Sequence, residues 1–430
     1  MSSEEPDNAF NCAWALTNIA CESDATLRLV MAGGIAALGS VIHMDCDKKV
    51  KSQCLWALGN IACENNDMAT RVSFTRPISV VIEMLDKQST TLLFRKQTSW
   101  FLHRILEFCT NEMTIVEACQ LAKAIMNASI GIMNGYECDI DKNDQMAMEL
   151  FYSLAHLIDI FRLPVIDLVL DYRDFAYYMM TLLDQIPPDV QYRFRKGGMQ
   201  VVGNLLLGGD SEIGRLFDQD LLGFLHAQLK KYPVRSTSGA SEVLWIYSNI
   251  AASNQEFMKY TYFTDPGGHF VADSVVCAIQ SENETLAKEA TFVATNTLFM
   301  FADSPDHFAL FIKAGYFLAL LRPFVHRIER FIEPAIEVIE KGLRHEVFRR
   351  FCVIHDFDKE IENCLPWIAD RLPLLRSEVE EVLDAMKRVK SDSQTATIPM
   401  MSKTNWSCPF PDPKQLTLQF VVDGITCMEV

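Results

Sequence analysis

A chain of 430 residues exceeds what one hydrophobic core organises, so it forms either several domains or one elongated repeat array. With 49% hydrophobic and 22% charged residues it is a folded chain, and its formal charge of -17 repels nucleic acid and anionic membrane surfaces while favouring a cationic partner. Thirteen cysteines without a paired Cys-x-x-Cys, no signal peptide, and apolar runs broken by charges predict reduced thiols in a soluble, intracellular protein that neither spans a membrane nor holds zinc.

The first eight residues are short and acidic. Internal repetition begins directly after them. Residues 12–20 read Cys-Ala-Trp-Ala-Leu-Thr-Asn-Ile-Ala and residues 54–62 read Cys-Leu-Trp-Ala-Leu-Gly-Asn-Ile-Ala, a displacement of 42. Carried forward, the template reaches Trp100 with Arg104, Tyr152 with His156, Gln200 with Asn204, Trp245 with Asn249 and Phe292 with Asn296, at intervals of 42 to 52 residues. That is the period of helical armadillo or HEAT repeats, with insertions such as 134–145 absorbing the longer steps.

Within a unit, Val50, Cys54, Leu55, Leu58, Ile61 and Ala62 share one helical face, and strand-like alternation is not sustained anywhere. Gly33-Gly34, Gly197-Gly198, Gly267-Gly268 and Gly315 predict sharp turns between helices. The expected organisation is all-α: an acidic stretch over 1–8, seven to eight repeats over 9–345, a terminal capping repeat over 346–390, and a flexible tail over 391–430 with a short strand at Leu416–Val422. The capping repeat carries a predicted helix over Ser377–Arg388, with Val379, Val382, Leu383 and Met386 on one side and capping-box spacing between Ser377 and Glu380.

Residues four apart lie one turn apart on one helix face, so stacked repeats align each aromatic and each Asn into a ladder. Neighbouring indoles make slots for the methylene stem of Lys or Arg, and each Asn offers a donor and an acceptor to an extended peptide backbone. Trp14, Trp56 and Trp245 each have Asn four residues on, and burying that amide repeatedly without partners is costly, so the rung is expected to face solvent or ligand. Trp367 and Trp406 read as core and tail residues.

The stretches 13–20, 55–62, 241–251 and 287–296, with 152–159 and 201–204 between them, resemble in order the third-helix signatures of the importin-alpha family of nuclear import adaptors. The resemblance covers roughly residues 9–390 and implies a right-handed armadillo superhelix whose concave groove binds Lys/Arg-rich nuclear localisation signals of cargo proteins, in cytoplasm and nucleus. Its first peptide site then comprises Trp14, Asn18, Trp56, Asn60, Glu64 and Trp100, with Glu64 as the acid that meets the key lysine. The second comprises Tyr152, His156, Asn204, Glu242, Trp245, Asn249, Glu289, Phe292 and Asn296, with Glu242 and Glu289 as its acids.

The sequence departs from the family in two main places. No Arg/Lys-rich segment stands ahead of the repeats, so self-inhibition and docking to importin-beta are not expected; an export receptor contacting the last repeat remains an inference from position alone. Arg104 replaces the third-rung Asn, with His103 beside it, and Ser52 and Glu22 redistribute acidity, while His156, Gln200 and Phe292 soften the second site. These changes admit an alternative, a degenerate or divergent armadillo scaffold that binds other partners and carries no cargo. An enzyme is not expected: Gly197-Gly198 to Gly208-Gly209 lacks the Gly-Lys-Ser/Thr of a phosphate loop. Asp139, Asp141 and Asn143 start like a calcium loop without its central Gly and closing Glu, so neither a metal nor a cofactor is indicated.

Overall fold

The computed structural model describes residues 5–86, 88, 90–133, 140–187, 193–232, 239–265 and 268–395. Among these there are helices and turns and no strand. Nine helices form an inner ladder: Glu5–Ile19, Lys48–Ala62, Leu92–Cys109, Ile140–Phe161, Arg193–Leu205, Gly239–Ala251, Glu284–Met300, Glu329–Gly342 and Arg376–Thr395. Each packs on the next in chain order, and they are called here the first to ninth inner helices. Shorter outer helices join them, as Ser23–Met31 and Gly34–Ile42 join the first to the second.

Local chemistry starts the inner helices where the repeat needs them. Asp47 accepts from the Lys49 amide at 2.8 Å, Thr91 from Phe94 at 3.4 Å and Asn283 from Leu286 at 3.1 Å, each satisfying an otherwise unpaired N–H at a helix start. Gly33 and Gly315 turn the chain with φ of 87° and 106°, a left-handed conformation that L side chains avoid. One continuous core then runs the length of the ladder, from Leu55 and Leu58 through Phe151 and Leu244 to Ile339 and Val379.

Four expectations change. Gly197 and Gly198 make no turn: both are buried inside the fifth inner helix, where an added Cβ would lie 3.1 Å from Phe151 and 2.9 Å from Leu183, so they permit close packing. Ser377 opens no capping box, because it already lies inside the ninth inner helix and Glu380 accepts from Arg376 Nε at 2.8 Å. That helix runs on through Thr395, past the expected start of the tail, with Val379, Val382, Leu383 and Met386 buried as predicted. Finally, the helix Ile115–Met133 contains a stretch long and apolar enough to cross a bilayer by length and composition. Here it replaces an outer pair and packs its Ala118, Leu121, Ala122, Ile125 and Met126 face against Ile78–Leu85, Leu163–Asp171 and the fourth inner helix.

Ten cysteines among the described residues are unpaired thiols; burial pushes Cys54 and Cys109 up to about 12, which holds them protonated as core residues. Trp367 packs partly buried against the core. Trp406, the calcium-like residues Asp139, Asp141 and Asn143, and the predicted strand lie outside the residues whose side chains are described.

Candidate functional site

The rung residues fall on successive inner helices as their spacing requires. Depth varies along the ladder. Trp14 and Trp56 remain 54% and 39% exposed, whereas Trp100, Tyr152, Trp245 and Phe292 are partly buried. The residue just before each Asn explains much of this. A Cβ on Gly59 would lie 2.4 Å from the Trp100 ring, and one on Gly203 would lie 2.1 Å from the Trp245 ring. Those indoles therefore rest on the bare backbone of the preceding helix. At the matching position of the first inner helix stands Thr17, which accepts from Gln53 Nε2 at 2.8 Å, and the following indole, Trp56, stays open.

The asparagines hold the ladder together. Asn60 Nδ2 donates to the Thr17 carbonyl at 3.2 Å, Asn204 to Ala155 at 2.9 Å, Asn249 to Gly203 at 3.1 Å and Asn296 to Ser248 at 3.2 Å. Each acceptor immediately precedes the previous rung residue, so one amide proton of each of these four asparagines is committed between repeats. The amide oxygens accept no hydrogen bond among the described residues and are not sealed in the interior. The ladder therefore presents a row of acceptors more than the balanced donor and acceptor pair that the sequence suggests. Asn18, on the first inner helix, is exposed.

Charge is distributed differently from the sequence expectation. Glu64 is partly exposed and makes no ion pair among the described residues. Glu242 instead accepts from Arg195 of the fifth inner helix in a close ion pair; burial raises its carboxyl from the ordinary value, and the guanidinium pulls it back. Glu289 is buried and reaches the adjacent Lys288 at 3.2 Å. The acids expected at the second site are thus engaged within the fold.

At the third rung Arg104 points outward, with Nη2 3.8 Å from Glu149 Oε1, while His103 Nδ1 is in close contact with the other oxygen of Glu149 and its ring stacks on Tyr152 at 5.4 Å. Glu149 is only 1% exposed and escaped the sequence reading. Its signal was present: it stands three residues before Tyr152, the offset at which Glu242 precedes Trp245 and Glu289 precedes Phe292. Beside it a 540 Å³ cavity between Trp56 and Trp100 is lined by Lys96, Arg193, Asp144 and Glu149, so this part of the groove carries both signs.

His156, at the fourth rung, is held below the ordinary imidazole range by burial, opposed by Glu107 and Asp159; burial depresses His226 and His355 in the same sense. Because the unfolded chain binds these protons more readily, stability is lost as pH falls below about 6.5 toward the depressed folded values. Glu242 and Asp273, raised by burial, act in the opposite sense nearer the carboxylate range. Thermal melts between about pH 7.5 and 5.5 are expected to show a falling midpoint, and the slope should flatten in His156→Gln and His355→Gln. A pH-independent midpoint would contradict the assignment.

No protein-family profile matches the sequence, and no curated protein does. Solved structures do. An engineered protein from a structural genomics consortium aligns with TM-score 0.59 at 16% identity over 88% of this chain and 95% of its own. A structure from work on the phosphorylation switch between cadherin and beta-catenin aligns with TM-score 0.52 at 15% identity over 88% of this chain and 70% of its own. A designed armadillo repeat protein aligns over 67% of this chain and 92% of its own, at 16% identity and TM-score 0.32. The chain is an all-α, armadillo-like solenoid with the Trp/Asn ladder along its inner helices.

Proposed function

We propose that the chain is an importin-alpha-like adaptor that holds Lys/Arg-rich nuclear localisation signals of cargo proteins in its groove, working between cytoplasm and nucleus. The observation that carries this reading is the pair of open indoles Trp14 and Trp56, one repeat apart, with Asn18 and Asn60 one turn further on. A lysine stem laid between two such faces keeps its ammonium near a π-surface, worth roughly 0.5–2 kcal/mol per contact. Glu64 lies one turn beyond Asn60 to meet that charge, and the row of amide oxygens accepts backbone N–H groups of an extended ligand.

A second reading, an armadillo scaffold for other partners, is favoured by Arg104 at the third rung and by the internal pairing of Glu242. Fluorescence polarisation of a labelled lysine-rich peptide at low and physiological salt separates the two. Trp56→Ala is the cleaner variant, because Asn60 also ties the first two inner helices together. The adaptor reading expects salt-sensitive binding, weakened about tenfold by Trp56→Ala and more by the Trp56→Ala, Asn60→Ala double variant. Absence of binding by the unmodified protein at either salt would leave the scaffold reading.

A further inference from the structure

Where the Asn ladder breaks, between the third and fifth rungs, a 210 Å³ cavity opens in the groove, lined by His103 and Glu107 from the third inner helix, Tyr152, His156 and Asp159 from the fourth, and Asn204 from the fifth. We infer that this cavity is a pocket for one lysine side chain of the bound peptide, its ammonium received by Glu107, Asp159 and the amide oxygen of Asn204. The inference rests on the peptide-binding reading above and adds a third anchoring point between the two predicted sites.

The polar groups match an ammonium with three donors. Glu107 is exposed at the mouth and makes no ion pair among the described residues. Among the described residues Asp159 pairs only with Arg162, at 3.1 Å with both groups about half exposed, an arrangement of small worth that a ligand cation can displace. Asn204 is 7% exposed, and with its Nδ2 committed to Ala155 its oxygen is left without a donor at the cavity.

The cations nearby are accounted for elsewhere. Arg104 extends outward with its guanidinium 3.8 Å from Glu149, His103 contacts the same carboxylate, and burial disfavours a proton on His156, so Glu107 and Asp159 are the charges that line the pocket itself. Tyr152 stacked on His103 forms a flat wall along which a methylene stem can lie.

Register follows from geometry. Neighbouring helices lie about 10 Å apart and an extended peptide advances about 3.3 Å per residue, so a pocket some two rungs from Asn60 is reached about six residues from the lysine held at Trp56.

The test uses the full chain and a peptide carrying a basic cluster for Trp14 and Trp56, with one further lysine moved stepwise along a Gly/Ser extension on either side. A lysine about six residues away is expected to tighten binding about tenfold. That gain should vanish when the lysine is replaced by norleucine, or in Glu107→Gln, Asp159→Asn, which alters only groups at the cavity mouth and should leave the melting midpoint unchanged at about pH 7.5, above the range in which His156 titrates in the unfolded chain. If no position of the added lysine tightens binding while Trp56→Ala still weakens the basic cluster, the pocket is overturned and the groove stands. If the basic cluster itself fails to bind the unmodified protein, both are overturned.

Discussion

Arg195→Ala is expected to destabilise the protein by about 2–3 kcal/mol, less than the loss of one partner from a fully buried ion pair because the Glu242 side chain keeps 23% exposure. Arg195 is 8% exposed; its guanidinium pairs with Glu242, donates to the Gly239 carbonyl at 3.2 Å and lies 4.0 Å over the Tyr232 ring. Alanine removes all three contacts at once and leaves a carboxylate whose protonation burial already favours. Lysine keeps the charge without the fork, so Arg195→Lys should fall between the two. The deficit also has a pH signature: protonating the abandoned Glu242 removes the buried charge, so the gap between variant and parent should narrow as pH falls from about 7 to 5. Urea denaturation at both pH values measures this. A loss below about 1 kcal/mol that does not change with pH would show the pair to be dispensable.

Gly203→Ala is expected to lower stability by about 1–2 kcal/mol although it replaces a helix-interior glycine, a change that propensity alone would make favourable by about 1 kcal/mol. The added methyl would sit 2.1 Å from a carbon of the Trp245 ring, and a rigid indole cannot yield there as a flexible side chain can. Gly203→Val should be worse. Gly59 faces Trp100 in the same way at 2.4 Å, while Gly214, in the outer helix Asp210–Asp218, has nothing within 4 Å. Gly214→Ala is the internal control and should stabilise by up to about 1 kcal/mol. Pairing Gly203→Ala with Trp245→Leu should recover most of the loss, and a double-mutant cycle without coupling would falsify the contact as its cause.

These two predictions mark where sequence reading stopped. The 42-residue offset between Trp14 and Trp56, the helical face through Cys54 and Leu58, and the buried stripe of the last inner helix were legible, because a helix period and a repeat period are both one-dimensional. Gly33 and Gly315 were legible as turns; Gly197 and Gly198 were not, since glycine serves a left-handed turn and a close helix approach equally well.

The family resemblance offered Glu242 and Glu289 as groove acids, and only the packed structure shows Glu242 held by Arg195, 47 residues away, and Glu289 turned to Lys288. The Asn amides gave the same lesson, with Asn204 reaching Ala155 across 49 residues. By itself the sequence determined the solenoid, its period and the spacing that places the rung residues on successive helices. Tertiary structure decided which of those residues are left for a ligand, because ion pairs and amide bonds between repeats depend on how far one helix is rotated and shifted against the next, and a pattern along the chain does not contain that lateral register.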